Sequence, residues 1–268
     1  MARIGVIAGR GKLPGIWSRE AVKKGHDVYI FALEENIEVF SFSEAEDIIP
    51  VNIDKFGHLL SLLNEKGIEK AVLLGNVDKK RLFEGAEPDE KLKKMLVGLE
   101  NLSNDSLLMG FVREIEKTGI DILSQQTYLE ELIPQEGVLT SISPDDEVVK
   151  DMEYGFNLAR EIARLEIGQT VIVKKRVVLA VETIEGTDET IKRGARLGNK
   201  GIVMAKVSKP SQDFRFDLPT VGMETLDILK EVDACGLVVE AGKTIFIQKD
   251  KFIEKAEKAG IVVAALEG

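Results

Sequence analysis

The residues of this chain best suited to chemistry are two carboxylates flanking a guanidinium, with two lysines upstream. They are Asp213, Arg215 and Asp217, preceded by Lys206 and Lys209, in the run 206–222. Read as extended chain, 213–218 alternates: Asp213, Arg215 and Asp217 point one way, and Phe214, Phe216 and Leu218 the other. Acids and cations gathered beside a turn are what phosphate chemistry with a divalent metal needs. Pro219 to Gly222 ends the strand as a turn. An extended strand advances ~3.3 Å per residue, so the α-carbons of Asp213 and Asp217 are expected about 13 Å apart. That distance gives the acids different jobs. Asp217, against Leu218-Pro219, is the metal or catalytic carboxylate, and Asp213 orients Arg215 or Lys209. The competing reading is an edge strand with a solvated polar face.

A second cluster is Glu182-Thr183-Ile184-Glu185-Gly186-Thr187-Asp188-Glu189, between a strand and a helix expected over 188–197. Gly186 permits close approach, and Thr187 is a natural N-cap. Glu182, Glu185 or Asp188 would complete a metal site with Asp217. Structurally, Asp188 and Glu189 complement the helix dipole, and Glu189 is assigned to that role.

The elements that must carry these residues begin with a buried strand over 3–8, then Gly9-Arg10-Gly11-Lys12 and a helix opened by Pro14 and closed by Gly25. A second strand spans 28–33. Strand, glycine turn, helix and strand open a Rossmann-like nucleotide-binding domain. Glycines let the backbone approach a phosphate, the helix N-terminus offers free N–H groups, and Lys12 favours an anion. Pro14 stands where a dinucleotide fingerprint has its third glycine, and Glu34 or Glu35 takes the ribose position. The alternative is a tight turn with no ligand. A third strand, 71–74, ends in Gly75-Asn76-Val77, so Gly9 to Lys12, Glu34 and Asn76 are expected on one rim. Asn76 either bonds a base or sugar or supports its own turn.

Helical spacing follows at Phe56, Leu59, Leu60 and Leu63, closed by Gly67, and a poorly periodic polar helix is expected over 78–103. Asn104 or Asp105 caps the next helix, and 120–123 is a short strand. A boundary falls at Pro134 to Gly137, dividing the chain into 1–133, which binds nucleotide, and 134–268, which is catalytic. The second domain starts with a helix from Pro144, then a hairpin of 170–173 and 177–181 turning at Lys174-Lys175-Arg176, read as solvent-exposed cations. A helix from Met223 to about Ala234, a second hairpin of 237–241 and 244–248 on Gly242-Lys243, a helix from Asp250 and a strand over 261–266 complete it. The fold class is α/β: a parallel-sheet domain followed by a mixed one.

The chain has 268 residues, enough for two medium domains. A 44% hydrophobic and 31% charged composition excludes disorder, and a net charge of −10 argues against nucleic acid as partner. Cys235 is the only cysteine, so an intrachain disulfide and a cysteine zinc site are excluded. His26 and His58 make no ligand pattern, leaving carboxylates to hold a hard cation. No run reaches the ~18 apolar residues that would span a bilayer. The expected location is cytoplasmic, with peripheral contact to the inner membrane surface.

The sequence resembles the LpxI-type UDP-2,3-diacylglucosamine pyrophosphatases of lipid A synthesis. The resemblance is carried by Gly5-Val6-Ile7-Ala8-Gly9-Arg10-Gly11-Lys12-Leu13-Pro14, Gly75-Asn76-Val77, Ala180-Val181-Glu182 with Glu185-Gly186-Thr187-Asp188, and Lys209-Pro210 with Asp217-Leu218-Pro219-Thr220-Val221-Gly222. The family's Gly-Asp-Asp run is replaced here by Ser103-Asn104-Asp105. The resemblance implies hydrolysis of a lipid-linked sugar nucleotide to UMP and the acylated sugar 1-phosphate, with Mg2+ or another divalent cation such as Mn2+, between two domains. It implies that Asp217 is the essential acid. Residues and resemblance together give Asp217, Asp213, Arg215 and Lys209 as catalytic, and Asp217 with Asp188 as metal ligands. Gly9, Gly11, Lys12, Asn76, Glu185, Gly186, Thr187, Asp188, Lys206, Gln212 and Thr220 are the substrate contacts, and a homodimer is an expected assembly. Two other readings stand beside this one: an NAD(P)-dependent oxidoreductase on the first domain, and a non-catalytic sugar-nucleotide sensor.

Overall fold

The computed structural model describes residues 1–33, 42–77, 87–99, 101 and 103–268. The chain forms two compact units: Met1–Leu129 with Phe214–Phe216, and Glu130–Asp213 with Asp217–Gly268.

In the first unit, β1 (Arg3–Ala8), β2 (Asp27–Ala32), β3 (Asp47–Pro50), β4 (Lys70–Leu74) and β5 (Asp121–Ile122) make one sheet, ordered β3-β2-β1-β4-β5. Every pairing is parallel. The order reverses between β1 and β4, the position where open α/β sheets leave a ligand crevice at their carboxyl ends. Helices α1 (Leu13–Lys23), α2 (Phe56–Glu65), α3 (Glu90–Val97) and α4 (Asn104–Glu116) accompany it. The apolar stripe of α2 packs with Phe31, Leu92 and Ile115 in one core.

Three sequence expectations change here. β3 was not anticipated. Part of the polar helix expected over 78–103 lies outside the described residues, and the described helix is α3, capped by Asp89, which accepts from Leu92 N. Ser103, not Asn104 or Asp105, caps α4, its hydroxyl accepting from Ser106 N at 3.3 Å.

The second unit holds a six-stranded mixed sheet, ordered β6-β13-β11-β9-β7-β8. Its strands are β6 (Gly137–Val138), β7 (Thr170–Lys174), β8 (Val177–Val181), β9 (Val203–Lys206), β11 (Gly236–Glu240) and β13 (Val262–Leu266). β9, β11 and β13 run parallel, and the remaining pairs are antiparallel. One face meets α5 (Asp146–Arg164) through Met152, Phe156, Ala159 and Ala163. The other face, with Ile172, Ala180, Met204 and Val239, meets α6 (Thr187–Gly198), α7 (Met223–Glu231) and α8 (Lys249–Lys258).

The hairpin expected at 237–248 does not form. β11 is buried at every position and sits between two parallel neighbours, while β12 (Ile245–Phe246) pairs in parallel with β10 (Thr220–Val221). A strand covered on both faces reads as a continuous apolar run, as Leu237-Val238-Val239 does. The hairpin of β7 and β8 does form. Its turn is held from inside: buried Asp151 accepts from the amides of Lys175 and Arg176, each at 2.6 Å, where both residues have positive φ.

Candidate functional site

The carboxyl ends of β1 and β4 carry Gly9, Gly11, Lys12 and Asn76. The two loops are stitched together: Arg10 N donates to Asn76 O at 2.7 Å, and Asn76 N to Arg10 O at 2.9 Å. Gly9 and Gly75 make this possible, because a Cβ at Gly9 would stand 2.5 Å from Asn76 O and one at Gly75 2.6 Å from Arg10 O. Their lack of side chains is thus explained by the two loops closing on each other. Gly11 and Lys12 are exposed, and α1 begins with Pro14 in its first turn and no side-chain cap. Glu34 and Glu35, the expected ribose acids, lie outside the described residues.

In the second unit, three strands place side chains in one row. Lys206 is the ladder partner of Thr170, and Glu182 N donates to Thr170 O at 2.8 Å. Each lies two residues along its strand from a side chain of the α6 face, namely Met204, Ile172 and Ala180. Strand alternation therefore turns all three toward α6. The first residue of α6 closes the group: Lys206 Nζ donates to Thr187 Oγ1 at 2.8 Å, and Thr187 Oγ1 donates to Glu182 Oε1 at 2.8 Å. Burial pushes the Lys206 pKa down, while the negative charges of Glu182, Asp188 and Asp217 pull it back up. Glu182 Oε2 and Thr170 Oγ1 are buried with no hydrogen-bond partner among the described residues.

The run 206–222 departs from expectation. Residues 213–218 do not form a strand; 214–216 are turn, and Asp217 N donates to Asp213 O at 2.9 Å. That five-residue turn has helical reach, which brings the two α-carbons to about 6 Å rather than about 13 Å. The distance argument for giving the two acids separate jobs therefore falls. The alternating charges mimicked a strand, and local hydrogen bonding of the turn prevailed. Arg215 shares no strand face with them, since 214–216 are turn. It belongs with Phe214 and Phe216 to the first unit, where it pairs with Glu116 at 2.8 Å and where Phe214 O accepts from Gln125 N at 2.7 Å.

Thr187 is not the N-cap; Gly186 is, with φ 82° and no capping side chain, which leaves the Thr187 hydroxyl for Lys206 and Glu182. Glu185 holds its own loop. It takes hydrogen bonds from Thr183 and Arg193, which hold its carboxyl down at about 2. Gln212 Oε1 accepts from Lys209 N at 2.7 Å and from Gln169 Nε2 at 3.0 Å, while its own Nε2 is a buried donor without a partner among the described residues. The Thr220 hydroxyl donates to Leu218 O at 3.0 Å, steadying the Leu-Pro segment after Asp217. Thr170 and the relay through Thr187 escaped sequence reasoning; only the register of three strands reveals them.

The cluster suits a hard cation in part. Glu182, Asp188 and Asp217 against Lys206 leave two net negative charges around one point, and a buried carboxylate oxygen among them lacks a donor. Among the described residues no three His, Cys, Asp or Glu converge as a complete protein cage. Magnesium commonly takes one or two carboxylates and fills the rest with water and substrate phosphates.

Comparison with known proteins agrees across the whole length. Residues 3–132 match the model of the LpxI N-terminal domain, and residues 135–264 that of the LpxI C-terminal domain. A UDP-2,3-diacylglucosamine pyrophosphatase LpxI from Caulobacter vibrioides is 32% identical over 286 residues, spanning 100% of this chain and 98% of that protein. Among solved structures, N5-carboxyaminoimidazole ribonucleotide synthetase from Thermotoga maritima aligns with 69% of this chain and 42% of its own, at 14% identity and a TM-score of 0.27. N5-carboxyaminoimidazole synthetase from Staphylococcus aureus with ADP aligns with 79% of this chain and 68% of its own, at 12% identity and a TM-score of 0.29. Scores that low carry nothing about fold or ligand. Both domain matches, in order, and a relative matched over nearly its whole length show the family: the chain belongs to the LpxI family.

Proposed function

We propose that this chain hydrolyses the pyrophosphate bond of UDP-2,3-diacylglucosamine to UMP and 2,3-diacylglucosamine 1-phosphate, a step of lipid A synthesis. The observation that carries the reading is the end-to-end match to a protein of that activity. The Lys206 cluster supports it with suitable chemistry. A divalent cation, magnesium or manganese, would be held by Asp217 and Asp188, and when bound it supplies charge neutralisation at the phosphates. The chain's own residues do the rest. Lys206 has N–H donors beyond the one given to Thr187 and turns them on the phosphate oxygens, where negative charge grows in the transition state. Asp217, with Asp213 beside it across the turn, orients the attacking water. Lys209 and the Gln212 Nε2, which has no partner among the described residues, are donors for the same phosphates. Gly11, Lys12 and Asn76 are assigned to the nucleotide. Glu185, tied into its own loop, supports the site rather than touching substrate.

No helix among the described residues is long and apolar enough to cross a membrane; the diacylated substrate is assigned to peripheral contact with the bilayer surface. The test is direct: incubate the protein with UDP-2,3-diacylglucosamine, with magnesium or with excess EDTA, and follow UMP. Metal-dependent UMP release is expected. Folded protein that binds the substrate tightly yet releases no UMP with any divalent ion would point to a sensor instead.

A further inference from the structure

We infer that Glu182 and Thr187 are positioning residues for Lys206, fixing its ammonium in the orientation that meets the pyrophosphate; this rests on the reading above. For an ammonium at Lys206 and a carboxylate at Glu182, the hydrogen-bond directions admit one solution. An ammonium only donates and an ionised carboxylate only accepts, so the single proton of the Thr187 hydroxyl must go to Glu182. A hydroxyl lone pair then receives Lys206. Thr187 is the acceptor that the described residues give this lysine, and the pair of 2.8 Å bonds defines which way the remaining N–H groups point.

The frame around the relay is rigid. Glu182 is tied to Thr170 through the backbone, and Thr170, fully buried, is tied to Lys206 by the β-ladder. Glu182 also lies against Gly168 so closely that a Cβ there would meet its carbonyl oxygen at 1.9 Å. Thr187 is fixed by being the first residue of α6. A long, four-carbon side chain is thereby held by anchors on a strand end and a helix start, which restrains the torsional freedom a lysine otherwise keeps. Such restraint matters for rate more than for ground-state binding, since a displacement of about 1 Å in a catalytic group costs about 100-fold.

The experiment compares Thr187→Val, which keeps shape and removes the hydroxyl, with Thr187→Ser, which restores it, and adds Glu182→Gln. Two readouts are taken: UMP release for kcat and KM, and the rate at which Lys206 is acetylated by trace acetic anhydride, measured by peptide mass spectrometry. Thr187→Val is expected to lower kcat about 100-fold with KM within about threefold and to speed acetylation, while Thr187→Ser stays within about threefold of the parent on both. Glu182→Gln should fall in the same direction as Thr187→Val. A kcat within twofold of the parent in Thr187→Val, or a loss in Thr187→Ser as deep as in Thr187→Val, overturns the inference. If the parent releases no UMP while acetylation still separates Val from Ser, the positioning role stands and the pyrophosphatase reading falls.

Discussion

Replacing Gly168 by alanine probes the site through a residue that carries no chemistry. The new Cβ would lie 1.9 Å from Glu182 O and 2.8 Å from its carbonyl carbon, so the oxygen must recede by at least 1.1 Å to reach the 3.0 Å that real side chains keep. That oxygen is backbone, in a chain held by the 2.8 Å bond from Glu182 N to Thr170 O, so it has little freedom to move. Forcing extra atoms into a packed region costs about 1–3 kcal/mol, and weakening the ladder bond adds roughly 1 kcal/mol. Gly168 does not need a positive φ, so alanine also restricts the unfolded chain, returning about 0.4–1 kcal/mol. The net expectation is a loss of about 1–3 kcal/mol, a fall of roughly 3–12 °C in melting temperature for a unit of this size. Differential scanning calorimetry reads the stability, and UMP release well below the melting temperature reads the site. Because Glu182 carries the carboxylate that accepts from Thr187, kcat should drop even where the protein is fully folded. An alanine variant with unchanged melting temperature and unchanged kcat would refute both the packing argument and the link from Gly168 to Lys206.

Asp217→Ala should lower kcat by about 10²–10⁴-fold with substrate Kd within a few-fold. Asp213→Ala should now be similarly severe because the turn sets the acids side by side, and a mild Asp213 phenotype measured by UMP release and calorimetric titration would count against a shared role. Asp151→Ala removes the acceptor of two turn amides from a buried site and should destabilise the protein by about 2–4 kcal/mol in urea unfolding, whereas a change under 0.5 kcal/mol would show the turn needs no anchor. Glu185 has its carboxyl lowered from 4.5 to about 2, so its contribution is fully present above about 4.5 and is lost as pH falls toward about 2. Urea midpoints of the parent should therefore fall more steeply over that window than those of Glu185→Gln; parallel curves would contradict the assignment.

Much of the fold was written in local signals. Gly25 and Gly67 mark the ends of their helices, both with positive φ, and the 3.6-residue stripe of α5 buries Met152, Phe156, Ala159 and Ala163 as its spacing requires. What failed was nonlocal. β3 is four residues ending in Pro50, too short to announce itself, and exists by pairing with β2. Gly242-Lys243 has hairpin composition, but β11 is claimed by β9 and β13, and no local rule sees those partners. In the site, the types at Glu182, Thr187, Lys206 and Asp217 were legible. Their grouping around one lysine was not, since it depends on Thr170, Glu182 and Lys206 meeting in register across three strands. The Asp213–Asp217 turn misled because a pair at i and i+4 shares a face both on a strand and in a helical turn.

The strand order of the second unit has a kinetic side. Among the described residues Gly137–Val138 finds its one sheet neighbour in β13, at Ala264 and Ala265, and β11 is flanked on one side by Val262–Leu266. The earliest strand of this sheet thus waits for the latest, across more than a hundred residues of intervening chain. Loop closure of that length must precede the burial that rewards it, which makes folding slow relative to a helical bundle of equal size. During synthesis β7, β8 and β9 can assemble as an antiparallel nucleus, while β11, an apolar run with one edge unpaired, stays open to wrong partners until β13 arrives. Expression at lower temperature or with holdase chaperones should therefore raise the yield of folded protein more than any change to its surface charge.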